Sequence, residues 1–536
     1  MPSLLERAAR STAPLALCLA NLCGCAPPVP ATVAEPTPRA PEPSPPAPPP
    51  PIDFVLAPVC GADGEPTALD VQVSLEPWSA EPPVFRIADP ENGTPPARER
   101  VLGLALSDAA GELPYALSEG PDPADQERRL FVKATRPAAG TLTLRYRARS
   151  IATSDKGAPF GLRHDEHGLG GTADGFLVAP SIAAERTLRV RWAVASCQPD
   201  LVPLSALGPG PSPPALVAPP DALRQAGFFL ARPELVTIDE GKLHVSFAFI
   251  GRFAFDTRAA ARYAAAVLVA ERAAFGDDDP TPFYAFMRVL PELTTRVTGG
   301  GNAYGYTSVA GPEAKWDARM RDHLAHELLH HWVGVRLWIR DADGVSGYWL
   351  SEGFTVHYSR VVPLRAGLLP PAEFLQQLNR TWTSLHESPH RGASNRAMED
   401  ALDRGIGDPV IGRVPYWRGS LYAAELDAAI RRASGGKRSL DLVMRELLHQ
   451  ARTAPRNAAG YAELPESAFR ARVEAELGPA GAERFDAVIR RGEPPSPPGH
   501  AFGPCFDRRE PTPGSVEWFR VEGVPDERCG EPGVAP

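Results

Sequence analysis

Residues 318–334 read ARMRDHLAHELLHHWVG, and they contain the donors of a metal centre. His326 and His330 are four residues apart. On an α-helix that separation puts both imidazoles on one face about one turn apart, as two ligands of a single ion require. Glu327 follows the first histidine and points beside the pair. From there a carboxylate can take a proton from a water held by the ion. The helix is written into the same stretch, because Met320, Leu324 and Leu328 fall at helical spacing and give it an apolar face to bury. A catalytic zinc takes three protein ligands and keeps a further position open. Downstream, Asp341 and Asp343 occur in DADG, a turn with Gly344 and a solvated setting. Glu352 occurs in YWLSEGFTVHYS, flanked by Trp349, Leu350 and Phe354. A carboxylate among such neighbours needs a partner to offset its desolvation, and zinc is the strongest one. Spacing alone leaves the third ligand open among these carboxylates.

The pattern H-E-x-x-H occurs a second time, as His386-Glu387-Ser388-Pro389-His390. Pro389 removes an amide donor and clashes with the preceding turn. Arg391 and Gly392 follow, so an exposed loop is expected there rather than a metal site. His164 and His167, in HDEH ahead of Gly168 and Gly170, are expected in a polar loop of a β region.

HELLHHW followed by WLSEGF resembles the gluzincin metallopeptidases, whose third ligand is a Glu on a following helix. The gap from His331 to Ser351 is 21 residues, which fits the glycyl aminopeptidase family better than the alanyl aminopeptidase family. Residues 414–446, VPYWRGSLYAAELDAAIRRASGGKRSLDLVMRE, are similar to a glycyl aminopeptidase segment with a Tyr before a basic-Gly pair, an apolar helix and a Gly-Gly-basic-basic-Ser-Leu-Asp run. Residues 465–490 resemble the closing helices of that catalytic domain. The resemblance spans roughly 180–490. It implies a thermolysin-like α+β catalytic domain and one zinc ion held by His326, His330 and Glu352. Glu327 becomes the general base and Tyr416 the donor to the transition state, with Tyr422 the competing tyrosine. The implied reaction is hydrolysis of a peptide or protein substrate by attack of a zinc-bound water.

One departure concerns specificity. Aminopeptidases of this kind carry an acidic residue in a Gly-rich strand ahead of the H-E-x-x-H helix, where it holds the free amine. Here residues 299–308 read GGGNAYGYTS, with no acid. Gly300 and Gly301 let backbone approach a peptide closely, and Asn302 can accept a hydrogen bond. Aminopeptidase activity is implied by the family, while an endopeptidase or an altered exopeptidase stays open. The rival expectation is a non-catalytic exported lipoprotein that uses the same scaffold for binding. The retained Glu327 argues against it, since a binding scaffold has no need of a base.

The elements that must position these residues follow from patterning. Leu142, Leu144 and Tyr146 alternate with Thr143 and Arg145, and Leu188, Val190, Trp192 and Val194 alternate with Arg189, Arg191 and Ala193. With Gly and Pro turns between such runs, residues 53–200 read as a β-sandwich domain. The Pro-rich stretch 204–221 reads as a connection. Leu243, Val245, Phe247 and Phe249 mark a further strand. Asp256 or Thr257 can cap a helix running to Phe275, which Gly276 ends, and Phe283 to Leu290 is an apolar strand. The expected organisation is multidomain: the sandwich, a catalytic domain over 201–375, an α-helical domain over 376–490 and an irregular Pro-rich tail over 491–536.

Composition bounds the class. The 536 residues carry a net charge of −9 and no basic block, so a nucleic-acid partner is excluded. Sixty-one prolines are about twice the usual ~5% share. Thirteen of them fall in the 26 positions 26–51, a segment that favours extended polyproline II and reads as a linker over 26–52. Ahead of it, Arg7 and Arg10 precede an apolar run from Ala13 to Cys23, too short to span a bilayer and suited to a signal peptide over 1–25. Leu22-Cys23-Gly24-Cys25 resembles a bacterial lipobox, which would lipidate Cys25. Ala26 in place of Asp favours the outer membrane. The expected location is that of an exported bacterial lipoprotein, at the outer membrane or in the periplasm, with the membrane as a partner through Cys25. Four further cysteines, Cys60, Cys197, Cys505 and Cys529, suit an oxidising compartment. The favoured pairing is Cys60 with Cys197 and Cys505 with Cys529.

Overall fold

A computed structural model of the chain describes residues 49–536 apart from 78, 90–94, 123–127, 156–158, 195–196, 225, 303–304, 341–346, 405–409, 455–460, 513–514 and 532–536. Residues 49–536 form one compact unit of mixed sheets and helices. Cys25, the expected signal segment and nearly all of the Pro-rich stretch lie outside the described residues, as do Asp341 and Asp343.

The N-terminal part is built of three sheets of seven, six and four strands. The alternation read from the sequence is the one that folds. Leu188, Val190 and Trp192 are buried while Arg189 and Arg191 face solvent. The strand Ile52–Cys60 lies inside the seven-stranded sheet, parallel to Arg186–Trp192 and antiparallel to Pro66–Leu75. Cys60 and Cys197 form a disulfide, with their Cα atoms 5.6 Å apart.

Two sequence expectations for this part need correction. The β region does not end at residue 200. Val202–Ser205 and Gly227–Ala231 pair with each other, and the latter also pairs with Gly168–Thr172. The prolines that gave 204–221 the look of a connector sit where prolines are tolerated. Pro209 stands exposed on a short edge strand, and Pro220 opens a 3-10 turn. Nor does His164 lie in a loop, since it belongs to the strand Arg163–Asp165, while His167 does sit in the turn that follows. Asp165 pairs at 2.9 Å with the buried Arg288 of the next sheet, which also donates to the carbonyl of Gly168 at 2.7 Å.

That next sheet has five strands: β1 (Pro233–Glu240), β2 (Leu243–Ile250), β3 (Phe283–Val289), β4 (Val297–Asn302) and β5 (Gly305–Ala310). Their order is β1-β2-β3-β5-β4, with β3 parallel to both β2 and β5, and the edge strand β4 antiparallel to β5. Between β2 and β3 runs α1 (Thr257–Phe275). The Asp256 carboxylate caps it by accepting from the amides of Arg258 and Ala259, and Gly276 ends it at φ 63°. α2 (Ala318–Leu329) follows β5. It is capped by Asp317, which accepts from the Met320 amide at 3.0 Å.

The rest is mainly helical: α3 (Thr355–Arg365), α4 (Pro371–Glu387), α5 (Val414–Ser434), α6 (Leu440–Ala451) and α7 (Glu466–Phe485). The second H-E-x-x-H straddles the end of α4. His386 is still helical and stacks on Trp382, with ring centroids 3.9 Å apart, while His390 lies in the turn after it. The tail is not irregular. Phe506–Thr512 and Ser515–Arg520 form a hairpin, Cys505 pairs with Cys529, and Trp518 and Phe506 are buried against Trp382 and Phe374. The Asn379 side chain of α4 donates to the Trp518 carbonyl and accepts from its amide, both at 2.9 Å. This long-range pairing holds a strand whose short, charged alternation is a weak signal by itself. Among the described residues no helix is long and apolar enough to cross a membrane.

Candidate metal centre

The α2 helix forms because Met320, Leu324 and Leu328 give it one buried stripe. His326 lies in its last turn. His330 is the residue after it, and keeps helical backbone (φ −56°, ψ −21°), so the two imidazoles share a face. Their ring centroids are 4.8 Å apart. Glu352 arrives on a π-helical turn, Trp349–Phe354, that runs straight into α3. Such wide turns change which face a side chain takes and recur at functional sites. Trp349 and Phe354 anchor this one in an aromatic cluster with Phe469, and Trp349 also packs against Phe485.

Tyr416 is brought in by a backbone crossing. A Cβ on Gly353 would lie 2.5 Å from Cα of Gly419, and one on Gly419 would lie 2.1 Å from the Trp349 carbonyl oxygen. Only two glycines allow α5 to sit this close to the turn carrying Glu352. The crossing brings the Tyr416 hydroxyl up to the Glu352 carboxylate. The Tyr416 ring lies nearly parallel to that of His326 at 6.0 Å, with the Arg413 guanidinium 5.3 Å from its centroid.

The edge strand β4 closes another side. A Cβ on Gly301 would meet Cβ of His330 at 2.6 Å, and one on Gly299 would meet Tyr306 at 2.9 Å, whereas one on Gly300 would meet nothing. The strand therefore lies against α2 through alternate glycines, with Gly300 on its open face. Asn302 ends the strand with its backbone paired to Gly305.

One ligand atom from each of His326, His330 and Glu352 lies within 4.8 Å of the others. His326 Nε2 is 3.2 Å and His330 Nε2 3.7 Å from Glu352 Oε2. The other His330 nitrogen, Nδ1, is 3.1 Å from the Val333 carbonyl oxygen, which accepts its proton and leaves Nε2 free for an ion. Burial alone would raise the Glu352 carboxyl, but His330, His326 and the Tyr416 hydroxyl outweigh it and hold it down at about 2. Two imidazoles and an ionised carboxylate, with a second partner fixing one imidazole, fit the donor set of a zinc site. Among the described residues no other group of three or more such side chains converges in this way.

Glu327 stands beside this trio, not in it. Burial pushes its carboxyl up to about 7, against the opposing pull of His330 and with a push from Glu352. The Tyr416 phenol is driven upward, by burial first and then by the Glu352 charge, so it stays protonated. Tyr422 points elsewhere, packing against Phe485. One neighbour escaped the reading of the sequence. His323 Nδ1 lies 3.6 Å from Glu327 Oε1, and its Nε2 lies 3.3 Å from the Tyr306 hydroxyl. The signal was present, since His323 stands four residues ahead of Glu327 on the same helix.

Residues 319–404 match the M61 glycyl aminopeptidase family. No curated protein matches the chain. Among solved structures, an aminopeptidase N family protein from Idiomarina loihiensis is similar at 15% identity. The match covers 85% of this chain and 79% of that one, with a TM-score of 0.63. A two-domain M1 zinc metallopeptidase, solved as a variant with L-tryptophan bound, is similar at 18% identity over 83% of this chain and 95% of its own, with a TM-score of 0.50. At such identity the likeness shows a shared fold. The family match across the motif and the shared fold together support a zinc metallopeptidase, similar to the glycyl aminopeptidases through 319–404 and to the aminopeptidase N family through its architecture.

Proposed function

We propose that the chain hydrolyses peptide bonds at one zinc ion held by His326, His330 and Glu352. The carrying observation is the convergence of these three with Glu327 and Tyr416 beside them, from three separate elements. When bound, zinc supplies Lewis acidity, lowering the pKa of a water and polarising the scissile carbonyl. Glu327, with its carboxyl near neutrality, takes a proton from the attacking water and delivers it to the leaving amine. Tyr416 donates a hydrogen bond to the oxygen that gains charge. Gly300 offers open backbone along which a peptide can lie, with Gly301 and Asn302 beside it. Because 299–308 contains no acid, a free α-amine finds no countercharge in that strand. Peptides with blocked amino termini are therefore substrates alongside free ones.

We also propose that the protein works outside the cytoplasm on a lipid anchor at Cys25. The charged start, the short apolar run and the lipobox-like Leu22-Cys23-Gly24-Cys25 support this, and two disulfides suit an oxidising compartment. Palmitate incorporation by the full chain but not by Cys25→Ser is expected; equal labelling would sink the anchor. For the reaction, the test is hydrolysis of a panel of free and blocked fluorogenic peptides by wild type and Glu327→Gln. Wild-type turnover abolished by Glu327→Gln is expected. Turnover indifferent to that substitution, or absent on every peptide, would overturn the peptidase reading.

A further inference from the structure

Tyr306, His323 and Glu327 form a chain of neighbouring polar side chains next to the proposed ligands. Tyr306 is buried on β5 at 1% exposure, and its hydroxyl is 3.3 Å from His323 Nε2. The other nitrogen of the same ring, Nδ1, faces Glu327 Oε1 at 3.6 Å. Room for this arrangement is made by the edge strand, because a Cβ on Gly299 would stand 3.0 Å from the Tyr306 oxygen and 3.2 Å from His323 Nε2. Three elements thus agree on one contact: β4 omits a side chain, β5 supplies a phenol, and successive turns of α2 supply an imidazole and a carboxylate.

We propose that Tyr306 and His323 act as positioning residues for Glu327: the phenol donates to Nε2, fixes the tautomer that carries its proton on Nδ1, and that N–H aims the carboxylate at the reacting water. With the imidazole neutral and Glu327 ionised, as a base must be, one assignment makes both contacts. A protonated phenol donates to a ring nitrogen that lacks a proton, and a neutral imidazole must then carry its proton on the other. That other nitrogen faces an oxygen that can only accept when ionised. The 3.6 Å gap is roughly half an ångström longer than a formed bond, the looseness expected of a catalytic contact that tightens with substrate bound. The proposal rests on the peptidase reading, in which Glu327 is the base, and assigns to that base a partner outside the ligand set.

The test uses full-length, zinc-loaded protein and any peptide that wild type cleaves. His323→Ala should lower kcat by about 10- to 100-fold, the usual cost of removing a second partner of a working group, with KM within about twofold and zinc content and melting temperature unchanged. His323→Asn puts an amide N–H near the place of Nδ1 and should restore most of the loss. Tyr306→Phe should lower kcat in the His323 protein but add nothing in the His323→Asn protein, which has no tautomer to fix. A readout independent of turnover is the nitrogen NMR of histidine-labelled, metal-free protein. It should show His323 protonated on Nδ1 in wild type and a mixed population in Tyr306→Phe. Wild-type kcat in His323→Ala, equal loss in the Ala and Asn proteins, a loss that tracks zinc content, or a proton found on Nε2 would each overturn the proposal. Turnover silenced by Glu327→Gln yet indifferent to His323 leaves the peptidase reading standing and removes only the positioning role, whereas turnover absent from wild type removes both.

Discussion

At the scale of single residues, three acidic groups meet at one site with separate protonation preferences. Glu352 is held near 2 by two imidazoles and a phenol, Glu327 is lifted to about 7 by burial, and the Tyr416 phenol is lifted above its usual range. The proposed ligand, base and donor therefore differ in protonation at neutral pH. A base is active when deprotonated, so kcat/KM should fall with slope one on the acid side. A cation beside Glu327 favours its charged form, so the midpoint in the zinc enzyme should lie below 7. A profile flat down to pH 4 would dissociate Glu327 from the base role. Zinc should stay bound in Glu327→Gln while turnover drops by at least ~100-fold, within the range for a positioned acid or base. Tyr416→Phe should cost about 100-fold in kcat with little change in KM, as for one oxyanion donor. Loss of metal in Glu327→Gln, or a pure KM effect in Tyr416→Phe, would reverse the roles. Most of this set was legible in the sequence because an i, i+4 pair on a helix is a purely local geometry. His323 was not picked out, because the role proposed for it depends on Tyr306, which approaches from a strand.

At the scale of elements, positions are set by contacts that spacing does not encode. The gap between His330 and Glu352 said little about the third ligand, since the carboxylate is placed by an aromatic anchor and a glycine crossing. Gly353 and Gly419 stood in the open, as glycines inside runs that otherwise read as helix, and such glycines mark close backbone approach. Gly419→Ala would force a Cβ to within 2.1 Å of the Trp349 carbonyl oxygen. It should destabilise the fold by ~1–3 kcal/mol, as overpacking does, and should lower kcat by displacing Tyr416 from Glu352. A stable, fully active Gly419→Ala protein would show that the crossing is not what positions the donor.

Helix α1 carries the opposite kind of compromise. Glu271 is fully buried on its apolar face near Val267, Leu268 and Phe275, and neither carboxylate oxygen has a hydrogen-bond partner among the described residues. Burial raises its pKa well above the ordinary value. The sign follows from proton binding. Above pH ~4.5 the unfolded chain releases this proton while the folded chain keeps it, so folding loses stability as pH rises toward the folded value. Glu271→Leu should raise the melting temperature, more at pH 8 than at pH 5, with only the pH-independent part of the gain left near pH 4. A gain of equal size at all three would mean that the carboxyl is not titrating in the fold.

At the scale of the whole molecule, the mixed architecture of strands first and helices later was readable from periodicity, whereas the limits of its parts were not. Prolines disguised the strands between 202 and 231, and the final hairpin was disguised by charge and by short strands. Its register is borrowed from Asn379, and its disulfide closes 24 residues of sequence. Replacing Cys505 and Cys529 by Ala should cost ~2–4 kcal/mol, the usual worth of a natural disulfide. It should also expose Trp518, read as a red shift in tryptophan fluorescence. Unchanged stability would mean that the packing on α4 suffices.

The strand Ile52–Cys60 sits in the interior of its sheet, and one of its two neighbours, Arg186–Trp192, comes much later in the chain. The disulfide that follows it joins cysteines 137 residues apart. While the chain folds, the first of the described strands must therefore stay half-paired until that later partner is in place. A purified fragment ending ahead of residue 186 should bind hydrophobic-dye probes, and one extended past 231 should bind them less.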